Sequence, residues 1–81
     1  MPVQHPTMHL NNFLQAHGGT QQMEMRQSEE GPNHERKWRV VVFINNIQYG
    51  TGLGHDLTAA KKAAAQETLT LISANGNRLL G

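Results

Sequence analysis

Near the start of the chain, Leu10, Phe13, Leu14 and His17 fall at i, i+3, i+4 and i+7, the spacing of one face of an α-helix. Thr7, after Pro6, reads as the N-cap, and Gly18-Gly19 stops the run, so a helix is expected over residues 7 to 17. Residues 1 to 6 carry two prolines and no periodicity, and are expected to form a flexible lead-in. After a polar turn the period shortens to two. Met23 and Met25 alternate with Glu24 and Arg26, as in a half-buried strand. Residues 28 to 35, punctuated by Gly31-Pro32, read as a loop. Trp38, Val40, Val42 and Ile44 then share one face of a β-rich run. Asn45-Asn46 suits a two-residue type I′ turn, because asparagine tolerates the positive φ that this turn requires. Such a turn sets Ile44 against Ile47 and Val42 against Tyr49, with all four on the core face.

The third strand ends in three alternating glycines, Gly50, Gly52 and Gly54, whose bare backbone lets another surface approach closely. Asp56 is the best helix cap in the chain and directly precedes Leu57-Thr58-Ala59-Ala60-Lys61-Lys62. A helical wheel groups Leu57, Ala60, Ala64, Thr68, Leu71 and Ile72 on one face, and the small residues among them let the helix backbone lie close to the sheet. Asn75-Gly76 is the stop signal. The positive N-terminus of this helix, with its lysines, suits a polyanion, and phosphate is the obvious candidate. The expected fold class is α+β: an α-β-β-β-α order with a three-stranded antiparallel sheet and two helices packed on one face. The domain is expected over residues 7 to 73, with 74 to 81 as a short C-terminal tail.

At 81 residues with 37% hydrophobic content, the chain can bury only a modest core. The formal net charge is +1, seven Lys and Arg against six Asp and Glu, so no overall basicity announces a nucleic-acid ligand. Placement matters more than the sum. Arg36, Lys37 and Arg39 cluster, as do Lys61 and Lys62, while the acids concentrate at Glu24, Glu29, Glu30 and Glu35. The absence of cysteine excludes a disulfide scaffold and a thiolate metal site, and makes an intracellular location the simplest expectation. No segment has the length and apolarity of a membrane span. His5 and His9 have i, i+4 spacing, but His5 precedes Pro6 and no third ligand is fixed by sequence, so no metal is expected. No catalytic constellation is recognisable, and no cofactor is expected.

In that element order, four motifs carry a resemblance. Gly31-Pro32-Asn33-His34 is similar to a Gly-Pro-x-His loop between the first two strands of the double-stranded RNA-binding domain family. Trp38 stands where the family usually opens its second strand with Phe, and Tyr49-Gly50-Thr51-Gly52-Leu53-Gly54 resembles its glycine-rich third strand. Ala60-Lys61 and Ala64-Ala65 match its Ala-Lys and Ala-Ala pairs at the family's spacing. The resemblance runs from about Pro6 to Ile72.

It implies a binding module rather than an enzyme, recognising double-stranded RNA by shape. Family domains span about 16 bp, touching two successive minor grooves and the major-groove phosphates between them. Three surfaces follow residue by residue. Asn11 and Asn12 fall at the minor-groove positions of the first helix, the second commonly Glu in the family. Pro32, Asn33 and His34 form the loop surface. At the second helix the family's Lys-Lys-x-Ala-Lys reads Leu57-Thr58-Ala59-Ala60-Lys61, so two phosphate-binding lysines are replaced. Lys61, with Lys62, Thr58, His55 and the helix dipole, is left to hold phosphate, and weakened binding is expected.

A second reading stays open at this point. Val41 and Phe43 lie on the sheet face opposite the core, and Leu69 nearly opposite the core side of the second helix. Neighbouring exposed apolar residues can mark an interface, which would make the chain a homodimer or a protein-interaction module in an RNA-processing complex.

Overall fold

A computed structural model describes residues 5–16, 23–32 and 34–80 of the chain. The elements run α1 (Pro6–Ala16), β1 (Met23–Glu30), β2 (Lys37–Ile44), β3 (Ile47–Gly54) and α2 (Leu57–Ala74). The strands form one antiparallel sheet in the order β1-β2-β3, and the two helices pack on one of its faces. The core between them joins Leu10 and Leu14 of α1, Val40, Val42 and Ile44 of β2, Tyr49 of β3, and Ala60, Ala64, Ala65 and Ile72 of α2.

The first helix starts one residue earlier than its pattern suggests. Pro6 takes the first helical position, where its missing N–H costs no helical hydrogen bond. The His5 carbonyl accepts from the His9 N–H at 3.1 Å, so Thr7 sits inside the first turn instead of capping it. His17 and Gly18-Gly19 lie outside the described residues. The first strand is longer than expected. Residues 28 to 30, read as loop, pair Ser28 with Arg39, Glu29 with Trp38 and Glu30 with Lys37. Their β-propensity is low, and backbone pairing along β2 overrides it.

The β2–β3 hairpin turns at Asn45 and Asn46, both with positive φ (52° and 65°), and pairs Ile44 with Ile47. The one-to-one pairing of Val42 with Tyr49 does not occur. Phe43 pairs with Gln48 but Val41 pairs with Thr51, so β3 carries one extra residue in a bulge opposite Val42. Val42, Ile44 and Tyr49 are still buried and Ile47 is half-buried, as core-face residues should be. The bulge resets the alternation of β3. Tyr49 and Gly50 are both buried, Gly52 follows inward, and Leu53 is turned outward at 50% exposure.

The surface that the glycine backbone admits is therefore the protein's own helix. A Cβ at Gly50 would lie 2.5 Å from the Thr68 nitrogen and 2.6 Å from the Ala64 oxygen. At Gly52 it would collide with the Ala64 nitrogen and Ala60 oxygen, and at Gly54 it would lie 2.6 Å from the Ala60 nitrogen. Alanines on the facing side of α2 complete this backbone-to-backbone contact. Thr68 secures it: the buried hydroxyl accepts from Gly50 N–H at 3.1 Å and donates to the Ala64 carbonyl at 2.8 Å. An amide at the bulge thus finds a partner in a place where leaving it bare would be costly.

Two apolar positions on α2 differ from the helical-wheel reading. Leu71, placed on the core face, is exposed, whereas Leu69, placed nearly opposite it, is half-buried against the core and shares a groove with Phe13 of α1. The helix has two neighbours, the sheet and α1, so its buried stripe is wider than a single face. Beyond α2, Leu79 and Leu80 also pack on the core, and the Leu80 N–H donates to the Tyr49 hydroxyl at 2.7 Å.

Candidate nucleic-acid interface

On α1, Met8, Asn11, Asn12 and Gln15 are exposed and follow the i, i+3, i+4, i+7 spacing of one face. The two asparagines are neighbours on that face and border different grooves. Asn11 lines a shallow groove with Thr7, Met8 and, from α2, Lys62. Asn12 borders a second groove, between the helices, with His9, Phe13, Gln66 and Thr70. Met8, 60% exposed beside Asn11, is a surface residue that the sequence reading passed over. Its i−3 position relative to Asn11 was the available signal.

The β1–β2 loop is shaped by its glycine. Gly31 has φ +93°, and a Cβ there would meet the Glu35 carbonyl oxygen at 2.6 Å. The Glu35 N–H donates to the Pro32 carbonyl at 2.9 Å, closing a tight turn. Pro32 and His34 are left exposed, while Asn33 lies outside the described residues.

At the start of α2, Asp56 caps the helix, its Oδ1 accepting from the Ala59 N–H at 2.7 Å. Leu57 is half-buried against the core, so the side chain at one of the replaced lysine positions serves packing. Thr58 and Lys62 are exposed and Lys61 is half-buried. Neither lysine is ion-paired among the described residues. The first turn of this 18-residue helix turns its positive dipole end outward beside the exposed Thr58, with the Ala59 and Ala60 N–H groups already donating to Asp56.

The structure also joins two surfaces that the sequence reading kept apart. His34, Glu35, Arg36 and Lys37 from the β1–β2 loop and β2 line one cleft with His55 from the β3–α2 connection. The bulge is responsible. Above it, Trp38 pairs with Gly54 and Arg39 with Leu53, and continuing that register one step brings position 55 opposite Lys37. Lys37, which the sequence reading did not count among the candidate site residues, lines this cleft.

Val41 and Phe43 are half-buried on the open face of the sheet. The Arg26 guanidinium stacks over the Phe43 ring, 4.1 Å from its centroid, which covers part of the apolar patch. With Leu69 turned towards α1, the three residues expected to form a protein interface do not share one surface.

An exposed helix face, a glycine-shaped loop and a cationic helix start on an α-β-β-β-α frame describe a binding domain for duplex nucleic acid. The family model of the double-stranded RNA binding motif matches residues 6–72, and the chain belongs to that family. It binds double-stranded RNA. Among curated proteins it is similar to ribonuclease 3 of Moorella thermoacetica (33% identical over 67 residues, 83% of this chain) and of Latilactobacillus sakei (34% over 65 residues, 80% of this chain). The matched segments span 29% and 28% of those relatives.

Proposed function

We propose that this chain reads duplex RNA by shape, with Asn11 and Asn12 in one minor groove, the Pro32–His34 turn in the next, and the start of α2 on the phosphates between them. The carrying observation is the placement of two cations that have no ion pair among the described residues: Lys61 and Lys62 stand on the second turn of α2, and Lys62 shares a groove with Asn11. A-form RNA offers 2′-hydroxyls in its shallow minor groove, which short polar side chains reach, while its deep major groove is bridged at the phosphates. With Leu57 packed inward and Thr58 uncharged, few phosphate contacts remain, so affinity is modest and depends more on hydroxyl contacts than in a lysine-rich relative.

The module binds and does not cleave on its own. The cleavage implied by the name of the ribonuclease 3 relatives would come from a separate catalytic domain, and an RNA-processing role inside the cell fits that pairing. A protein-contact role on Val41 and Phe43 is the weaker reading, since Arg26 already covers the phenyl ring.

A titration with a duplex RNA of about 16 bp or longer at low salt tests the proposal. Saturable binding that a DNA duplex of equal length competes poorly supports it; equal affinity for DNA, or no binding, overturns it.

A further inference from the structure

We infer that residues 75 to 80 form a latch over the end of the core, and that the Asn75-Gly76 junction at its root is a modification site guarded by that latch. Asn75 is deamidated when the latch opens, and the product keeps it open. The segment lies beyond residues 6–72, where the family model matches. Its root is a Schellman turn: the Gly76 N–H donates to the Ser73 carbonyl at 3.2 Å and the Asn77 N–H to the Ile72 carbonyl at 2.9 Å. Gly76 and Asn77, at φ 70° and 59°, turn the chain back, and the Asn75 Nδ2 donates to the Arg78 carbonyl across the bend at 3.2 Å. The far end is fixed by Leu79 and Leu80, half-buried against the core, and by the Leu80 N–H on the Tyr49 hydroxyl. These few contacts work against the entropy of ordering the segment, so the latch opens more readily than the domain unfolds.

Asn75-Gly76 is the one Asn-Gly pair in the sequence. Glycine in second place leaves the following nitrogen open to the asparagine side chain, with no Cβ in the way. In deamidation the deprotonated Gly76 nitrogen attacks Asn75 Cγ. The new C–N bond closes a succinimide ring, and the Cγ–Nδ2 bond breaks with loss of ammonia. Water then opens the ring at either carbonyl, leaving aspartate or isoaspartate; water enters, ammonia leaves, and nothing is oxidised or reduced. The closed latch blocks the first step. Asn75 has ψ 27°, which turns the Gly76 nitrogen away from the side chain, while Ser73 holds the Gly76 N–H and Arg78 holds Nδ2. The products oppose closure in turn. Both lack the Nδ2 donor. Aspartate sets a negative charge at the negative end of the α2 dipole. Isoaspartate lengthens the main chain, so the Gly76 and Asn77 amides no longer meet their carbonyls.

Deamidation at residue 75, followed by peptide mapping during incubation at mildly alkaline pH, tests this. The folded wild type is expected to react at least about tenfold more slowly than the same chain in urea. Tyr49→Phe removes the acceptor of the Leu80 N–H and is expected to raise the folded rate about fivefold. Leu79→Ser/Leu80→Ser is expected to bring it within about threefold of the rate in urea, with circular dichroism showing that α2 and the sheet remain. Should the leucine variant unfold, the conservative Tyr49→Phe decides. Asn75→Asp, the product in place, is expected to lower the hydrogen-exchange protection of the Leu80 amide about fivefold. A folded rate equal to the rate in urea, or a folded Tyr49→Phe chain with the wild-type rate, overturns the latch as the guard of Asn75. An Asn75→Asp chain with wild-type protection at Leu80 overturns the claim that the product keeps the latch open.

Discussion

The two sides of α2 are built to opposite specifications. On the inner side, Ala60, Ala64 and Thr68 meet Gly50, Gly52 and Gly54 so closely that no added carbon fits between them. On the outer side, Thr58, Lys61 and Lys62 stand at the helix start without an ion pair among the described residues. Interior contacts of this kind tolerate almost no change in volume, whereas surface charges can change at little cost to stability. The same segment thus fixes the fold with one side and, in the proposal, meets RNA with the other. Of the two positions where the family carries lysine, Thr58 is exposed on the outer side, whereas Leu57 adds to the packing on the inner side.

The sharpest way to break this contrast is on the inner side. Gly52→Ala forces a Cβ into the α2 backbone, where neither Ala60 nor Ala64 has a flexible side chain to yield. Overpacking typically costs about 1–3 kcal/mol, and a backbone-against-backbone clash belongs at or above the top of that range. Each kcal/mol lowers the melting temperature of a domain this size by about 4–8 °C, so thermal unfolding followed by circular dichroism will register it clearly. A variant that melts with the wild type would mean that the strand–helix contact is loose. Thr68→Val is the next largest change. It keeps the shape but leaves the Gly50 N–H without its acceptor, at an expected cost of about 1–3 kcal/mol in urea denaturation. The outer side should give the smallest effect on stability: Lys61→Ala/Lys62→Ala is expected to unfold within about 0.5 kcal/mol of wild type. A larger loss there would mean that the lysines are part of the packing.

Much of this was legible in the sequence because local signals agreed with one another. The type I′ turn at Asn45-Asn46, the Asp56 cap and the Ala-rich face of α2 each rest on the chemistry of a few neighbouring residues, and the structure has all three. The β3 bulge was not legible. A Gly-Thr-Gly strand alternates in the same way whichever face its glycines take, and only the facing helix decides between them. The same bulge moved the register by one residue, so the cleft that Lys37 and His55 share was hidden too. Residues 28 to 30 were missed for a related reason: their strand is held by pairing with β2, and nothing in their own composition announces it. For the interface, exposure of Asn11, Pro32, His34, Thr58 and Lys62 followed from their places in the elements, whereas the inward turn of Leu69 needed knowledge of where α1 packs.

The central claim is that RNA is held through a few phosphate contacts on the outer start of α2 combined with recognition of duplex shape. Measuring duplex-RNA affinity against salt concentration, for wild type beside Lys61→Ala/Lys62→Ala, tests it most directly. Each phosphate contact contributes about −0.7 to −0.9 to the slope of log affinity against log salt. The wild type is expected to show a shallow slope of about −2, and the double variant weaker binding with a slope near zero. A double variant with the wild-type slope and affinity would contradict the claim, because the phosphates would then be held somewhere other than the start of α2.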